Sequence, residues 1–347
     1  MTLKRIGFCC KWLNDPSECG GMKVNAVDRE LNGRSTTMRW LREHPDQAEQ
    51  RQWDIMNHNT TAAVKMIERV ATLPANRRMV RLGSEMLQGY TQHEWKSFWQ
   101  SSTVQAHCQK IFAPIGETAR RLDVRISFHP GQFCCVVSDN PGIVERSIEE
   151  LEYHADMARW MGFGRTKLDL KINVHLSGAR GVDGFDDAWQ QMSPELRNCL
   201  TLENDEYKQG LDNLLVLRHK VGIVLDLHHH FIKEEQYIQA DDPRIQQVIE
   251  SWQGVRPAIH YSQSRDEYIG KFVDRLPTMA EMLTVAKKGK LRAHSDFYTN
   301  THINEWAVTH LSWANIMCEA KGKNLASQQI YDCAAELGIL PESISTV

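Results

Sequence analysis

Fifteen histidines stand out in this chain, and several of them close short apolar runs. His129 ends VRISFH and His175 ends LKINVH. Glu203 ends CLTLE, Asp226 ends GIVLD and is followed by His228, His229 and His230, and His260 sits in PAIHY. Glu319 ends NIMCE, His93 lies in the stretch after MVRL, and His294 and Asp296 precede the last run. A lone histidine at such a place is ordinarily a hydrogen-bonded structural residue, and a lone Asp or Glu a helix cap. So many together are another matter. Carboxylates gathered without cations repel one another and lose hydration. Divalent ions remove that cost. Mixed imidazole and carboxylate ligands suit Zn or Mn, and no well-placed cysteine selects a softer metal. At ~3–5 protein ligands per ion the set suits two or three ions. Two ions ~3.5–4 Å apart are a recurring arrangement for cutting phosphodiesters.

The elements that must position these residues alternate. β-type runs occur at Arg5–Cys9, Met79–Leu82, Val124–Phe128, Leu170–His175, Cys199–Glu203, Gly222–Leu227, Pro257–Tyr261 and Asn315–Glu319. Helical periodicity fills the gaps at Asn59–Ala71, Ile143–Met161, Leu211–Lys220, Asp242–Trp252, Thr278–Lys287 and Ser327–Leu337. Strand–helix alternation means a parallel sheet, and eight units close into an α/β (β/α)8 TIM barrel. In that fold strand C-termini build the active site. An open doubly wound sheet would carry a GxGxxG turn after its first strand, and CCKWLNDPSECGGMK is not one. With no repeat or Pro/Ser-rich linker, residues 1–347 read as one domain, with a C-terminal helix at 325–338. Ser262–Leu276 reads as a long loop after a strand, and the stretch holding SSTVQAHC as an expanded loop between His93 and His129.

Length and charge bound the partners. A 347-residue chain can bury a large core without disulfide staples. Its 41 basic and 44 acidic residues give a net charge of −3, which excludes coating nucleic acid by bulk charge but leaves room for a local basic rim. No apolar run reaches the ~18 residues of a membrane span, and no signal peptide is visible. Nine cysteines without a CxxC pair fit buried thiols in a reducing cytoplasm.

HPGQF (129–133), INVHLSG (172–178), LENDE (202–206), LDLHHHF (225–231), RAHSDF (292–297) and EAK (319–321) together resemble the motifs of UV damage endonucleases. The resemblance runs from about Arg5 to Lys321. It implies a barrel related to endonuclease IV with a trinuclear metal site, manganese favoured over zinc or magnesium. It further implies nicking of damaged double-stranded DNA 5′ to UV photoproducts, leaving a 3′-hydroxyl and a 5′-phosphate, with no obligatory protein partner. By position, the implied metal ligands are His93, His129, His175, Glu203, Asp226, His229, His260, His294 and Glu319. His229, three residues after Asp226, outranks its neighbours, and Glu203, Asp226, His229 and Glu319 would carry catalysis. Asp296 would orient a ligand, while Gln132 and Phe133 match the pair that probes the lesion.

Ala258 departs from the resemblance, since many members carry lysine two residues before the histidine of the seventh run. Same-face geometry points residue 258 into the barrel beside His260, where alanine leaves space for water or another side chain. Lys11, Lys23, Arg180, Arg265 and Lys271 are candidate phosphate contacts, so DNA binding should weaken steeply with salt. The competing reading is a metal-dependent sugar isomerase or epimerase on a related barrel. The HPGQF motif and the nine-ligand set favour the nuclease.

Overall fold

Eight short parallel strands form the sheet: β1 (Ile6–Cys9), β2 (Met79–Arg81), β3 (Arg125–Phe128), β4 (Lys171–His175), β5 (Leu200–Glu203), β6 (Gly222–Val224), β7 (Ala258–Tyr261) and β8 (Asn315–Cys318). Each falls inside a run read from the sequence. The structure is a computed structural model describing residues 3–15, 28–131 and 133–341; Lys23 and Gln132 lie outside them. Pairing runs β6-β5-β4-β3-β2-β1-β8-β7. The circle is completed by a single parallel bridge between Asp226 and His260, with the His260 N–H donating to the Leu225 carbonyl at 3.0 Å. This is the eight-stranded α/β barrel.

The barrel interior departs from the usual Val, Ile and Leu filling. Alternate residues of a strand face opposite sides. On β4 this sends Ile172 and Val174 outward under the helices, and Lys171, Asn173 and His175 inward. Asn173 accepts a hydrogen bond from Thr201 of β5 at 2.8 Å and donates to Glu203. Polar inward residues cost desolvation unless paired, so this part of the interior is a hydrogen-bonded shaft, beside a small apolar cluster of Cys9, Met79 and Met317. The apolar core lies instead between strands and helices, where Phe8, Phe128, Leu202 and Ile316 are fully buried.

Helices cover the outside. Pro45–Ala71 starts with proline in its first turn, where a missing N–H costs nothing. It buries Ile55, Met56, Ala62, Met66, Ile67 and Val70 along one face. The stretch read as an expanded loop is instead the helix Ser102–Arg121, capped by the Ser101 side chain. Its Pro114 and polar opening mask a buried stripe of Val104, Cys108, Phe112, Ile115 and Ala119. Helix Leu211–Leu215 is shorter than its periodicity suggests, and helix Lys323–Glu336 occupies the C-terminal position. Ser262–Leu276 is not all loop, because Asp266–Ile269 is helical and Gly270–Phe272 forms a 3-10 turn. Among the described residues no helix is long and apolar enough to cross a membrane, and the eight described cysteines are free.

Candidate metal centre

Strand ends deliver the side chains to one mouth of the barrel. His175 and Glu203 are direct register partners on β4 and β5, and Glu319 follows β8. Asp226 follows β6 and caps helix Leu227–Glu234, one carboxylate oxygen accepting the His229 N–H at 2.7 Å. That cap fixes His229 relative to Asp226 and leaves the second carboxylate oxygen free to face inward. The LENDE segment builds the support. Asn204 donates to the Asp226 carbonyl at 3.1 Å and accepts its N–H at 2.8 Å. The Asp205 carboxylate accepts the N–H groups of Tyr207 and Lys208, both at 2.6 Å, and so shapes the turn carrying Glu206.

Glu203 is the hub. Its Oε2 lies 3.0 Å from His260 Nδ1, 3.3 Å from His129 Nε2 and 4.0 Å from His175 Nε2. Its Oε1 lies 3.6 Å from His229 Nδ1. Glu319 Oε1 is 3.2 Å from His260 Nδ1 and pairs with Arg81. Two groups of candidate ligand atoms result: His129, His175 and Glu203, and Glu203, Asp226, His260 and Glu319, each within 4.8 Å. Glu203 belongs to both. His175 Nδ1, Glu203 Oε1, Asp226 Oδ2 and His260 Nδ1 are buried without a hydrogen-bond partner. Buried polar atoms are normally paired, so orphans at the ends of four neighbouring strands fit a group bound between them, and the donor set fits divalent ions.

Ring orientation follows from each imidazole's other nitrogen. Nδ1 of His129 faces the Pro130 carbonyl at 2.9 Å, that of His229 the Asn204 carbonyl at 3.1 Å, and that of His294 the Glu319 carbonyl at 3.3 Å. Nδ1–H donation to a carbonyl leaves Nε2 with the lone pair. His260 is reversed: Nδ1 faces the carboxylates, and Nε2 lies 2.8 Å from the Lys171 amine. For Nδ1 to offer a lone pair, Nε2 must carry the proton and Lys171 must accept it. Burial pushes Lys171 down to about 7 against the pull of Glu203, and the neighbouring Arg81 and Arg125 cations add to the lowering. The neutral amine is therefore available near neutrality.

The carboxylates differ. Burial opposes charge on Glu319, but Arg81, His260 and His294 outweigh it and hold its carboxyl well below the usual range. Burial raises Asp226 to about 8, Glu203 and Glu319 adding and His229 opposing. Burial works against a charged His229, yet Asp226, Glu203 and Glu206 lift it to about 9.

Other expected site residues sit apart. His93 is exposed on the turn His93–Trp95 and lines a cleft of about 680 Å³ with Phe133. No contact joins it to the carboxylates among the described residues. Asp296 pairs with Lys321 at 3.0 Å. Phe133 is 69% exposed, so it is a surface side chain. Arg180 pairs with Asp187 and Arg265 with Glu267, while Lys11 is exposed and lines a cleft with His129 and Phe133. Sequence reading missed Arg81, Lys171, Asn173, Asn204 and Glu206. Same-face parity could have found Lys171 and Asn173, four and two residues before His175.

The family model described as UV-endonuclease UvdE matches residues 18–342. The chain belongs to this family. A UV DNA damage endonuclease of Bacillus pumilus is 31% identical over 170 residues, covering 46% of this chain and 51% of that protein. One of Bacillus mycoides is 27% identical over 240 residues, covering 64% and 67%. A UV-damage endonuclease of Neurospora crassa is 28% identical over 208 residues, covering 54% and 31%. The chain thus spans about half the length of the first of these relatives. The crystal structure of SacUVDE shares the fold, with a TM-score of 0.73 at 19% identity over 97% of this chain and 100% of that one.

In this UvdE member the lysine beside the β7 histidine comes from β4. Ala258 is buried at the start of β7, and Lys171 reaches His260 across the shaft. Lys171→Met keeps the length and removes the acceptor from His260 Nε2. It is expected to weaken metal affinity about 10–100-fold, the usual effect of losing a ligand's supporting partner. Metal titration followed by circular dichroism checks this, and unchanged affinity would show that Lys171 does not orient His260.

Proposed function

We propose that the chain is a metal-dependent endonuclease that nicks damaged double-stranded DNA 5′ to UV photoproducts, leaving a 3′-hydroxyl and a 5′-phosphate. The observation that carries this reading is Glu203 shared between two groups of candidate ligands at the barrel mouth. That arrangement suits two or three divalent ions, with Mn favoured, and UvdE membership supports a DNA substrate. His129, His175, Glu203, Asp226, His229, His260 and Glu319 would hold the ions, with His294 beside them. Bound there, divalent ions supply Lewis acidity toward a phosphodiester and activate water for its hydrolysis.

The chain's own residues do the rest. Arg81 keeps Glu319 ionised, Asn173 donates to Glu203, and Asn204 holds the Asp226 backbone. Phe133 and Tyr207, 69% and 63% exposed, stand on the loops after β3 and β5, on two sides of the cluster. Arg292 lies over the Tyr207 ring at 3.7 Å. Exposed aromatics there suit stacking on bases displaced from a distorted duplex. Family membership gives the sugar-isomerase alternative no support.

The test is nicking of supercoiled plasmid, UV-irradiated or not, with Mn²⁺. Lesion-dependent nicking is the expected result, and no nicking of irradiated plasmid at any metal loading would overturn the reading. Phe133→Ala should keep full metal content yet lower the preference for irradiated over intact DNA by about 5–150-fold, the equivalent of ~1–3 kcal/mol of stacking. Lost metal or lost fold in that variant would assign Phe133 a structural role.

A further inference from the structure

The opposite end of the shaft opens into a cavity of about 440 Å³. It is walled by residues that precede or begin strands, so it lies at the other end of the barrel from the metal centre. Five basic side chains line it: Arg5, Arg120, Arg125, Lys171 and Arg256. Only two carboxylates do, Asp123 and Asp169.

Both carboxylates are committed. Asp123 pairs with Arg5 at 2.7 Å. Asp169 accepts the N–H groups of Gly164, Arg165 and Thr166 at 2.8–3.2 Å, closing a turn. Most of the cations are committed too. Arg5 donates to the Arg78 and Asp123 carbonyls, and Arg256 to Asn315 and to the Leu311 and Ala314 carbonyls. Arg120 donates to the Met161 carbonyl, and Lys171 points up the shaft to His260.

Arg125 is the exception. Its guanidinium lies over Trp252 at 5.5 Å, and among the described residues no carboxylate or carbonyl pairs with it. Arg5 and Arg256 stand close enough to add to the burial that lowers its basicity to about 10. A half-buried guanidinium beside two others, without a counter-charge, is costly. Its planar fork matches phosphate oxygens.

We propose that this cavity is a binding site for a small phosphate dianion, free or carried on a compact molecule such as a mononucleotide, with Arg125 as its principal contact. The site is independent of the nuclease reading, because duplex DNA cannot enter a cavity of this size.

The experiment is equilibrium dialysis of the metal-loaded full chain with labelled inorganic phosphate at fixed ionic strength, repeated with thymidine 5′-monophosphate and with thymidine. Saturable binding of phosphate is expected, weakened at least tenfold by Arg125→Gln. Phosphate held at the metal centre would survive that substitution. Equal binding by wild type and Arg125→Gln therefore overturns the proposal, as does thymidine binding as tightly as its monophosphate. Tighter binding of the monophosphate than of phosphate would identify a carried phosphate; the reverse would identify the free ion. Should Arg125→Gln not fold, phenylglyoxal labelling of wild type answers the same question. Phosphate must protect Arg125 from modification, and labelling that phosphate leaves unchanged refutes the site.

Discussion

Glu203→Ala is expected to cut incision of irradiated plasmid by about 10³-fold, roughly 4 kcal/mol of lost transition-state stabilisation. Among the described residues no other belongs to both groups of candidate ligands. Its two oxygens face His260, His129 and His175 on one side and His229 on the other. Removing it therefore disturbs both groups at once. The fold should survive. Alanine leaves the Asn173 amide unpaired, but it also relieves repulsion with Glu319 and Asp226. Glu203→Gln keeps the shape and isolates the charge. Metal content by emission spectroscopy and far-UV circular dichroism separate a lost ion from a lost fold. Wild-type nicking by Glu203→Ala would mean that the hub is not the reaction centre.

Stripping metal with a chelator should abolish nicking and lower the melting temperature. A ligand present at a thousandfold its Kd stabilises by about 4 kcal/mol. For a chain of this size that is about 8 °C at roughly 2 °C per kcal/mol. The gap between loaded and stripped protein should widen as pH rises from about 6 to about 9. The sign follows from Asp226 and His229. Without ions, burial holds a proton on Asp226 up to about 8, and neighbouring carboxylates hold one on His229 up to about 9. Both values are raised above those of the unfolded chain. The stability they confer on stripped protein is complete only below the unfolded values and fades as pH climbs through the raised ones. Ligation expels the same protons, so metal affinity climbs over that interval. Calorimetry in two buffers of different ionisation enthalpy should show proton release on metal uptake. A pH-independent gap would show that neither group is a ligand.

Strand positions were legible because each strand is a short apolar run bounded by chemistry-bearing residues. VRISFH, LKINVH and CLTLE each show where a strand stops and which side chain it offers. Glu203 was legible as a bridging carboxylate, but the register that sets His175 directly opposite it was not. Nor was the partnership of Arg81 with Glu319, which spans 238 residues of sequence. Lys171 was hidden by its place at the start of a run, where a lysine looks like a solvated strand end. The sequence alone does not show that His228–His230 open a helix capped by Asp226 and are buried there. Helix Ser102–Arg121 was obscured by Pro114, which breaks the pattern without breaking the helix.

Seven of the eight seams between neighbouring strands carry a ladder, but the eighth, between β6 and β7, is held by one bridge, Asp226 to His260. Both residues are candidate ligands in the same group. An ion held there would act as a clasp across the weakest seam of the cylinder, so its loss would be mechanical as well as chemical. The structure is then a hoop whose buckle is its candidate metal centre. Tension from a bent duplex pressed against the mouth would fall first on that buckle, and the His260 amide, bonded to Leu225 across the gap, would be the first to exchange with solvent when it slips.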